Sequence, residues 1–225
     1  MSDLTADERA AREGVRRQKC EAVAKLYASA QDCTGCGLHR TRTRVVFGTG
    51  NAASPLMLIG EGPGANEDVQ GEPFVGRAGK LLDECLFYAG MKREHIYLTN
   101  IIKCRAAIEE GGRVQNRPPT AEELDECVPR WLRNQMEIIQ PLVICCIGAP
   151  AAKVVINSNF SIMRERGRFF ECSYSSHAIA VLHPAFILRQ EGAEYQRLRG
   201  LLIDDLKAAK ERAIAARSEA PKTLF

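Results

Sequence analysis

The 225-residue sequence lacks any apolar run that approaches the roughly 20 residues needed to span a bilayer. Its first residues carry too much charge for a secretory signal peptide. It also lacks a strong excess of either charge, because 31 basic residues face 28 acidic ones and leave a net charge of +3. So small a balance neither requires nor excludes a nucleic-acid partner. We therefore expect a cytoplasmic protein without membrane association.

The length suits one compact domain, and the 45% hydrophobic content is typical of globular proteins. Residues 5–31 predict an amphipathic helix, and the apolar run at residues 56–59 predicts a buried parallel strand. Three further strands are predicted at residues 95–99, 142–147 and 178–182, with helices at residues 77–90, 120–140 and 193–216. The alternation indicates the α/β class, as a three-layer α/β/α sandwich around a mainly parallel sheet of about four strands.

The organisation along the chain is simple, with no internal repeat and no linker. We expect an N-terminal helical segment at residues 1–30, one domain at residues 31–216 and a C-terminal tail at residues 217–225. The glycine-containing stretch at residues 109–113 is predicted to be a flexible loop. Ligands bind beyond the carboxyl ends of the strands in open parallel sheets. The loops that follow three of the predicted strands, at residues 60–76, 100–104 and 183–189, should therefore share one cleft.

Nine cysteines need an explanation, because structural disulfides are rare in a reducing compartment. Cys33 and Cys36 form a C-x-x-C turn after a helix, whereas a redox-active pair prefers a strand-to-helix junction. Cys104 and Cys127 could complete a four-thiolate site. One local pair with two dispersed cysteines favours a metal but leaves zinc and iron open. The others are better explained as small buried hydrophobic residues: Cys20, Cys85, Cys145, Cys146 and Cys172.

The glycine-rich stretch after the first predicted strand, residues 60–65, formally fits the dinucleotide-binding pattern G-x-G-x-x-A. It fits poorly, because Glu61 would lie near the pyrophosphate, Pro63 removes a backbone donor and the next predicted helix starts only at about residue 77. A nucleotide-dependent oxidoreductase is thus a distant alternative. The stretch up to Phe74 offers carboxylates and an aromatic wall, and this combination suits a planar heterocycle better than a phosphate.

Two polar residues at predicted strand ends complete this site. Asn100 can present both an acceptor and donors, as the reading of a base edge requires. His183 is the one histidine of four that lies in a strand-end loop with a helix after it. His95 and His177 begin predicted strands, where a surface role is expected.

Six motifs in order carry a family resemblance over about residues 30–206. They are CTGC, LIGEGPGANEDVQGEPFVGRAGKLLD, YLTNIIKCR, NRPPTAEELDEC, ERGRFFE and LHPAFILR. Together they resemble the motif series of family 4 uracil-DNA glycosylases, the iron-sulfur branch. The resemblance implies the uracil-DNA glycosylase fold and a DNA repair enzyme that flips uracil out of DNA and hydrolyses its N-glycosidic bond, leaving an abasic site.

The resemblance also implies roles for individual residues. The four ligands of a [4Fe-4S] cluster would be Cys33, Cys36, Cys104 and Cys127. The catalytic residues would be Glu61, His183 and Glu67, with Glu61 the first choice for orienting water. Uracil would be bound by Gly62, Phe74, Asn100 and His183. DNA would be contacted by Lys103, Arg105, Arg117, Pro184 and Arg189.

Two departures from the family pattern bear on this interpretation. Gly62 stands where alanine is typical, which suggests a wider pocket and a relaxed base specificity. The stretch at residues 105–119 is longer than usual, and a related branch uses a histidine at this place to trap uracil-DNA covalently. Because no histidine occurs there, we expect turnover, with a binding or cross-linking protein as the alternative. The expected partner is uracil-containing DNA, single- or double-stranded, and the expected state is a monomer.

Overall fold

The structure, a computed structural model, describes residues 5–221; residues 1–4 and 222–225 lie outside the described residues. Helix α1, Ala6–Gln31, begins at a capping box in which Thr5 Oγ1 accepts from the Glu8 backbone N–H at 3.1 Å and the Glu8 carboxylate accepts from Thr5 N–H at 2.8 Å. The buried Lys19 Nζ donates to the Ile139 carbonyl at 2.8 Å. The N-terminal segment is thereby attached to the body of the protein.

A six-stranded sheet forms the centre, in the strand order β1-β3-β2-β6-β8-β7. The strands are β1 Thr49–Gly50, β2 Leu56–Gly60, β3 Tyr97–Asn100, β4 Ala107–Glu110, β5 Arg113–Asn116, β6 Val143–Ile147, β7 Phe169–Cys172 and β8 Ser175–Val181. The four inner strands are parallel, and β1 and β7 are antiparallel edge strands. The predicted α/β class with a mainly parallel sheet is confirmed. The sheet has two more strands than expected, both at its edges.

Helices cover both faces of this sheet. Beyond α1 they are α2 Ala65–Gln70, α3 Arg77–Tyr88, α4 Ala121–Cys127, α5 Asn134–Ile139, α6 Ala149–Val155, α7 Ile162–Glu165, α8 Pro184–Ile187 and α9 Gly192–Glu219. Leu58 of β2 packs with α3, α8 and α9, while its neighbour Met57 packs with α5 and α6. Because successive side chains of a strand point to opposite faces, the inner strands are buried on both sides. The predicted three-layer sandwich is confirmed.

Local structure differs from the sequence predictions at three places. The glycine-rich loop contains the short helix α2, so a helix starts earlier than predicted. The predicted helix at residues 120–140 is divided into α4 and α5 by a π-helical turn, Val128–Arg133, which contains Pro129. The predicted flexible loop is a hairpin of β4 and β5, in which Gly111 and Gly112 adopt positive φ angles of 57° and 75°.

The C-terminal helix continues to Glu219, past the predicted end at residue 216. Residues 222–225 of the predicted tail lie outside the described residues. Among residues 5–221, none of the helices combines the length and apolar character needed to cross a membrane.

Candidate active site

A cleft of about 520 Å³ opens at the carboxyl ends of β2, β3 and β8. It is lined by the loop after β2, by the last residue of β3 and by the turn after β8. The residues predicted to act on a base all line it: Glu61, Gly62, Glu67, Phe74, Asn100 and His183. The prediction that these loops share one cleft is confirmed, because parallel strands end at the same edge of the sheet.

Phe74 forms an aromatic wall of the cleft and is held in an unusual backbone conformation. Its φ angle is +57°, which is strained for a bulky residue. The Arg93 guanidinium donates to the carbonyls of Pro73 and Phe74, and Gly79 allows the approach, because a Cβ there would lie 1.8 Å from the Phe74 oxygen. The backbone that carries the ring is therefore held in place by its surroundings.

Asn100 lies opposite this ring at the end of β3 and is only 2% exposed. Gly60 separates the two side chains, since a Cβ at Gly60 would lie 2.5 Å from both Asn100 Oδ1 and Phe74 Cζ. Within residues 5–221 the Asn100 carboxamide makes no hydrogen bond. Its oxygen and nitrogen are not fully buried. It is available to a ligand in the cleft.

His183 caps helix α8, and this contact defines its tautomer. Its Nδ1 accepts from the Ala185 backbone N–H at 3.0 Å, so the neutral ring carries its proton on Nε2. Burial lowers the pKa of His183 to about 4, and the charge of Arg189 acts in the same direction while Glu67 opposes it. At neutral pH the side chain is thus an uncharged donor.

The two carboxylates of the site have different environments. Glu67 Oε1 accepts from the backbone N–H groups of Val75 at 3.0 Å and Gly76 at 2.8 Å, so it holds the turn that carries Phe74. The Glu61 carboxylate has no hydrogen-bond or ion-pair partner within residues 5–221. Burial raises the pKa of Glu61. Glu61 is the carboxylate that is free to act on a water molecule.

The space left by the missing side chain at Gly62 is already filled. A Cβ at this position would lie 2.9 Å from Ile102 Cγ1 and 3.0 Å from Ile102 Cδ1. Ile102 is 1% exposed and lines the cleft. The glycine accommodates Ile102, and the structure does not support the wider pocket expected at Gly62.

The residues predicted to contact DNA separate into three groups. Arg189 is exposed at the cleft and lies over the Phe186 ring, 5.8 Å from its centroid. Arg105 and Arg117 lie near the rim but have partners: Arg105 Nε donates to Asn116 Oδ1 at 2.7 Å, and Arg117 forms a bidentate ion pair with Glu123. The third group, Lys103 and Pro184, is buried.

The predicted DNA contact of Lys103 and Pro184 has no support in the structure. Lys103 is only 1% exposed and Pro184 is buried as the first residue of α8, so neither reaches a phosphate or a base stack. Arg77 is also exposed at the cleft, and the sequence analysis did not single it out. The sequence signal that could have identified it is an arginine at the first position of a helix, where the helix dipole disfavours positive charge.

The four cysteines proposed as ligands line a second, small cavity of about 20 Å³ on the other side of residues 102–104. All nine cysteines are free thiols. Among residues 5–221, no group of three or more histidine, cysteine or acidic side chains is arranged to hold a metal ion. The cavity is otherwise lined by apolar side chains such as Trp131, by the basic residues Arg42, Lys103 and Arg130, and by one acid, Glu126.

The chemistry of this cavity suits soft metal ligation. Burial raises the pKa of Cys104 to about 12 and of Cys127 to about 11, while the Arg42 and Lys103 cations act against these shifts. Arg42 donates to Cys104 Sγ at 3.6 Å, and the Lys103 backbone N–H donates to Cys127 Sγ at 3.3 Å. Thiolates are favoured by such donors, and soft thiolate sets select zinc or iron-sulfur clusters.

Comparison with known proteins decides the family. A sequence profile of the Uracil DNA glycosylase superfamily matches residues 47–207, well over half of the chain. The chain belongs to this superfamily. The match includes every cleft residue described above, together with Cys104 and Cys127, whereas Cys33 and Cys36 precede it.

Several proteins named Type-4 uracil-DNA glycosylase are similar to this superfamily member. The protein from Thermotoga maritima is 40% identical over 179 residues, which cover 79% of this chain and 88% of the relative. The protein from Archaeoglobus fulgidus is 39% identical over 175 residues, with coverages of 75% and 84%. The protein from Sulfurisphaera tokodaii is 34% identical over 202 residues, with 86% of both chains covered. The similarity extends over most of each chain.

Proposed function

We propose that this protein is a DNA repair enzyme that excises uracil from DNA by hydrolysing the N-glycosidic bond, leaving free uracil and an abasic site. One observation carries the proposal: a single cleft combines an unpaired carboxamide at Asn100, a fixed aromatic ring at Phe74, a neutral donor at His183 and an unpaired carboxylate at Glu61. The names of the relatives point to the same reaction.

Recognition begins with extrusion of the nucleotide, because a base within a duplex is out of reach of a concave site. The uracil ring stacks on Phe74, and the Asn100 carboxamide pairs with its polar edge. The exocyclic amine of cytosine reverses one donor and acceptor of that edge, so cytosine would leave buried polar groups unpaired. Selection against cytosine therefore comes from Asn100.

Bond cleavage places negative charge on the departing uracil and positive charge on the sugar. The Nε2–H group of His183 donates to the developing oxyanion of uracil and loses no proton in doing so. The free Glu61 carboxylate supports the sugar cation and orients the attacking water. Glu67 acts through the Val75 and Gly76 amides that fix Phe74, so we assign it a positioning role.

The surface around the cleft supports contact with the DNA backbone. Arg77 and Arg189 are exposed at the cleft, and Arg105 lies beside the β4–β5 hairpin. Contacts of this kind fix the register of the strand without reading its sequence. We therefore propose that these arginines bind phosphates of single- or double-stranded substrates.

We further propose that Cys33, Cys36, Cys104 and Cys127 hold a [4Fe-4S] cluster. Four thiols on one cavity, with cationic neighbours, support this assignment. When bound, such a cluster supplies a cross-link between α1, the segment after β3 and α4, since the reaction is a hydrolysis without electron transfer. The unpaired thiols support a reducing compartment such as the cytoplasm, and we propose that the protein acts there as a monomer.

A gel assay with a uracil-containing oligonucleotide tests the proposal. We expect alkali-labile strand breaks and release of free uracil, and we expect Glu61→Gln to abolish most of both while still binding the DNA. A band that survives denaturation, without free uracil, would instead identify a cross-linking protein. Intact DNA with neither product would refute the proposed function.

A further inference from the structure

Lys103 is a buried lysine for which the proposed chemistry has no use. Its Nζ donates to Thr99 Oγ1 at 2.7 Å and to the backbone carbonyl of Asn100 at 2.6 Å, and it lies 5.7 Å from the centroid of the Phe47 ring. No carboxylate pairs with it among residues 5–221. Burial of a lysine amine is costly unless its donors are used, and here two of them are used at the end of β3. These two contacts point to a role at that strand end.

The backbone of the same residue belongs to the other cavity. Its N–H donates to Cys127 Sγ at 3.3 Å, its carbonyl accepts from Val46 N–H at 2.8 Å, and the next residue is Cys104. Lys103 thus contacts the thiol cavity with its main chain and the end of β3 with its side chain. It lies between the thiols and the residue that reads the base.

The end of β3 presents Asn100 to the cleft. The ladder between β2 and β3 finishes at the pair of Gly60 and Asn100, after which Ile101 N–H donates to the Gly60 carbonyl at 2.8 Å and Ile102 N–H donates to the Glu61 carbonyl at 3.3 Å. The Asn100 carbonyl itself accepts from Lys103 Nζ. Within the described part of the chain, the Asn100 carboxamide has no hydrogen bond of its own to fix its direction. Its orientation therefore depends on the main chain that carries it, and hydrogen bonds weaken steeply when their angles deviate.

We propose that Lys103 is a positioning residue for base recognition, which holds the Asn100 main chain in place from the wall of the thiol cavity. This inference rests on the proposed function, since it assigns Asn100 the reading of uracil. Without the Nζ donor, the Asn100 carbonyl becomes a buried acceptor with one partner fewer, and the backbone adjusts to pair it elsewhere. The carboxamide then moves with it and loses its alignment to the base.

Lys103→Met tests the proposal, because methionine retains the length and apolar stem but removes the donors. The matched control is Lys19→Met, a second buried lysine, whose Nζ donates to the Ile139 carbonyl far from the cleft. Affinities are measured by fluorescence anisotropy for two otherwise identical single-stranded oligonucleotides. One carries an uncleavable 2′-fluorinated deoxyuridine and the other carries the correspondingly 2′-fluorinated deoxycytidine at the same position.

We expect Lys103→Met to reduce the preference for uracil over cytosine by about tenfold, with unchanged affinity for the cytosine strand. Lys19→Met should keep the wild-type preference even where its melting temperature falls as far. A wild-type preference in folded Lys103→Met would overturn the inference. If that variant does not fold, Lys103→Leu replaces it, since leucine also removes the Nζ donor to the Asn100 carbonyl; an unchanged preference would again refute the role.

The two hypotheses fail in different ways. If the proposed function is wrong, the wild-type protein itself shows no preference for the uracil strand. If only the role of Lys103 is wrong, the wild-type preference is present and survives the substitution.

Discussion

Replacement of His183 separates its two contacts. The ring caps α8 through Nδ1 and leaves Nε2–H for the cleft. His183→Ala removes both contacts, whereas asparagine is a good cap that accepts from the Ala185 amide but lacks the donor at the Nε2 position. We expect both variants to reduce the rate of uracil release by about 10² to 10³, the range for loss of one oxyanion donor. Only His183→Ala should also lose about 1 kcal/mol of stability.

The burial of His183 also makes the free energy of unfolding depend on pH. In the unfolded chain a histidine takes up its proton near pH 6.5, but in the folded protein the pKa of His183 is about 4. Between these pH values only the unfolded chain takes up the proton, so acid favours unfolding. The stability that the neutral His183 contributes is therefore fully present above pH 6.5 and is lost as the pH falls toward 4. The loss amounts to about 3 kcal/mol in wild type, and it is absent from His183→Asn.

Two measurements check these expectations. Uracil release is followed in a single turnover with enzyme in excess, and the free energy of unfolding is measured by urea titration at neutral and acidic pH. Comparison of wild type with His183→Asn cancels the contribution of other titrating groups. The assignment would be refuted by a rate in His183→Asn within a few-fold of wild type, or by a stability difference that does not change between pH 7 and pH 4.

Three further substitutions test other parts of the site. Phe74→Ala should weaken binding of an uncleavable uracil oligonucleotide by about 1 to 3 kcal/mol, and equal affinity in anisotropy would exclude stacking. Gly62→Ala should destabilise the fold by about 1 to 3 kcal/mol in urea titrations, because its Cβ meets Ile102 at 2.9 Å; unchanged stability would show that Ile102 yields. Cys127→Ser should reduce the iron bound per protein molecule while Cys85→Ala leaves it unchanged, and equal iron contents would argue against the cluster.

The residues of the cleft were predictable because strand ends follow from local pattern. Apolar runs identify the inner strands, and Asn100 and His183 directly follow the predicted strands at residues 95–99 and 178–182. Since parallel strands end at the same edge of a sheet, their loops converge whatever lies between them in sequence. The α/β class and the meeting of Glu61, Phe74, Asn100 and His183 follow from this reasoning.

Burial and pairing were not predictable, because they depend on contacts between distant segments. Lys103 lies two residues before Arg105, and the sequence suggests a basic surface there. Tertiary packing instead buries the Lys103 side chain beside the Phe47 ring, where its amine does not reach DNA. Two other contacts also depend on tertiary structure. Arg117 pairs with Glu123, and Ile102 fills the space beside Gly62. The sequence pattern does not show that these residues come close together.

The sequence by itself determined which chemical groups reach the cleft, because hydrophobic periodicity sets the strands and the strands set the loops. Only the tertiary structure decided what each group does there. Glu67 and Glu61 are both carboxylates of one loop, but the Val75 and Gly76 amides engage Glu67 and leave Glu61 free. His183 becomes a neutral donor because burial opposes its charge and the Ala185 amide occupies Nδ1. Protonation and hydrogen-bond pairing are properties of the folded environment, and a linear pattern of residue types does not contain them.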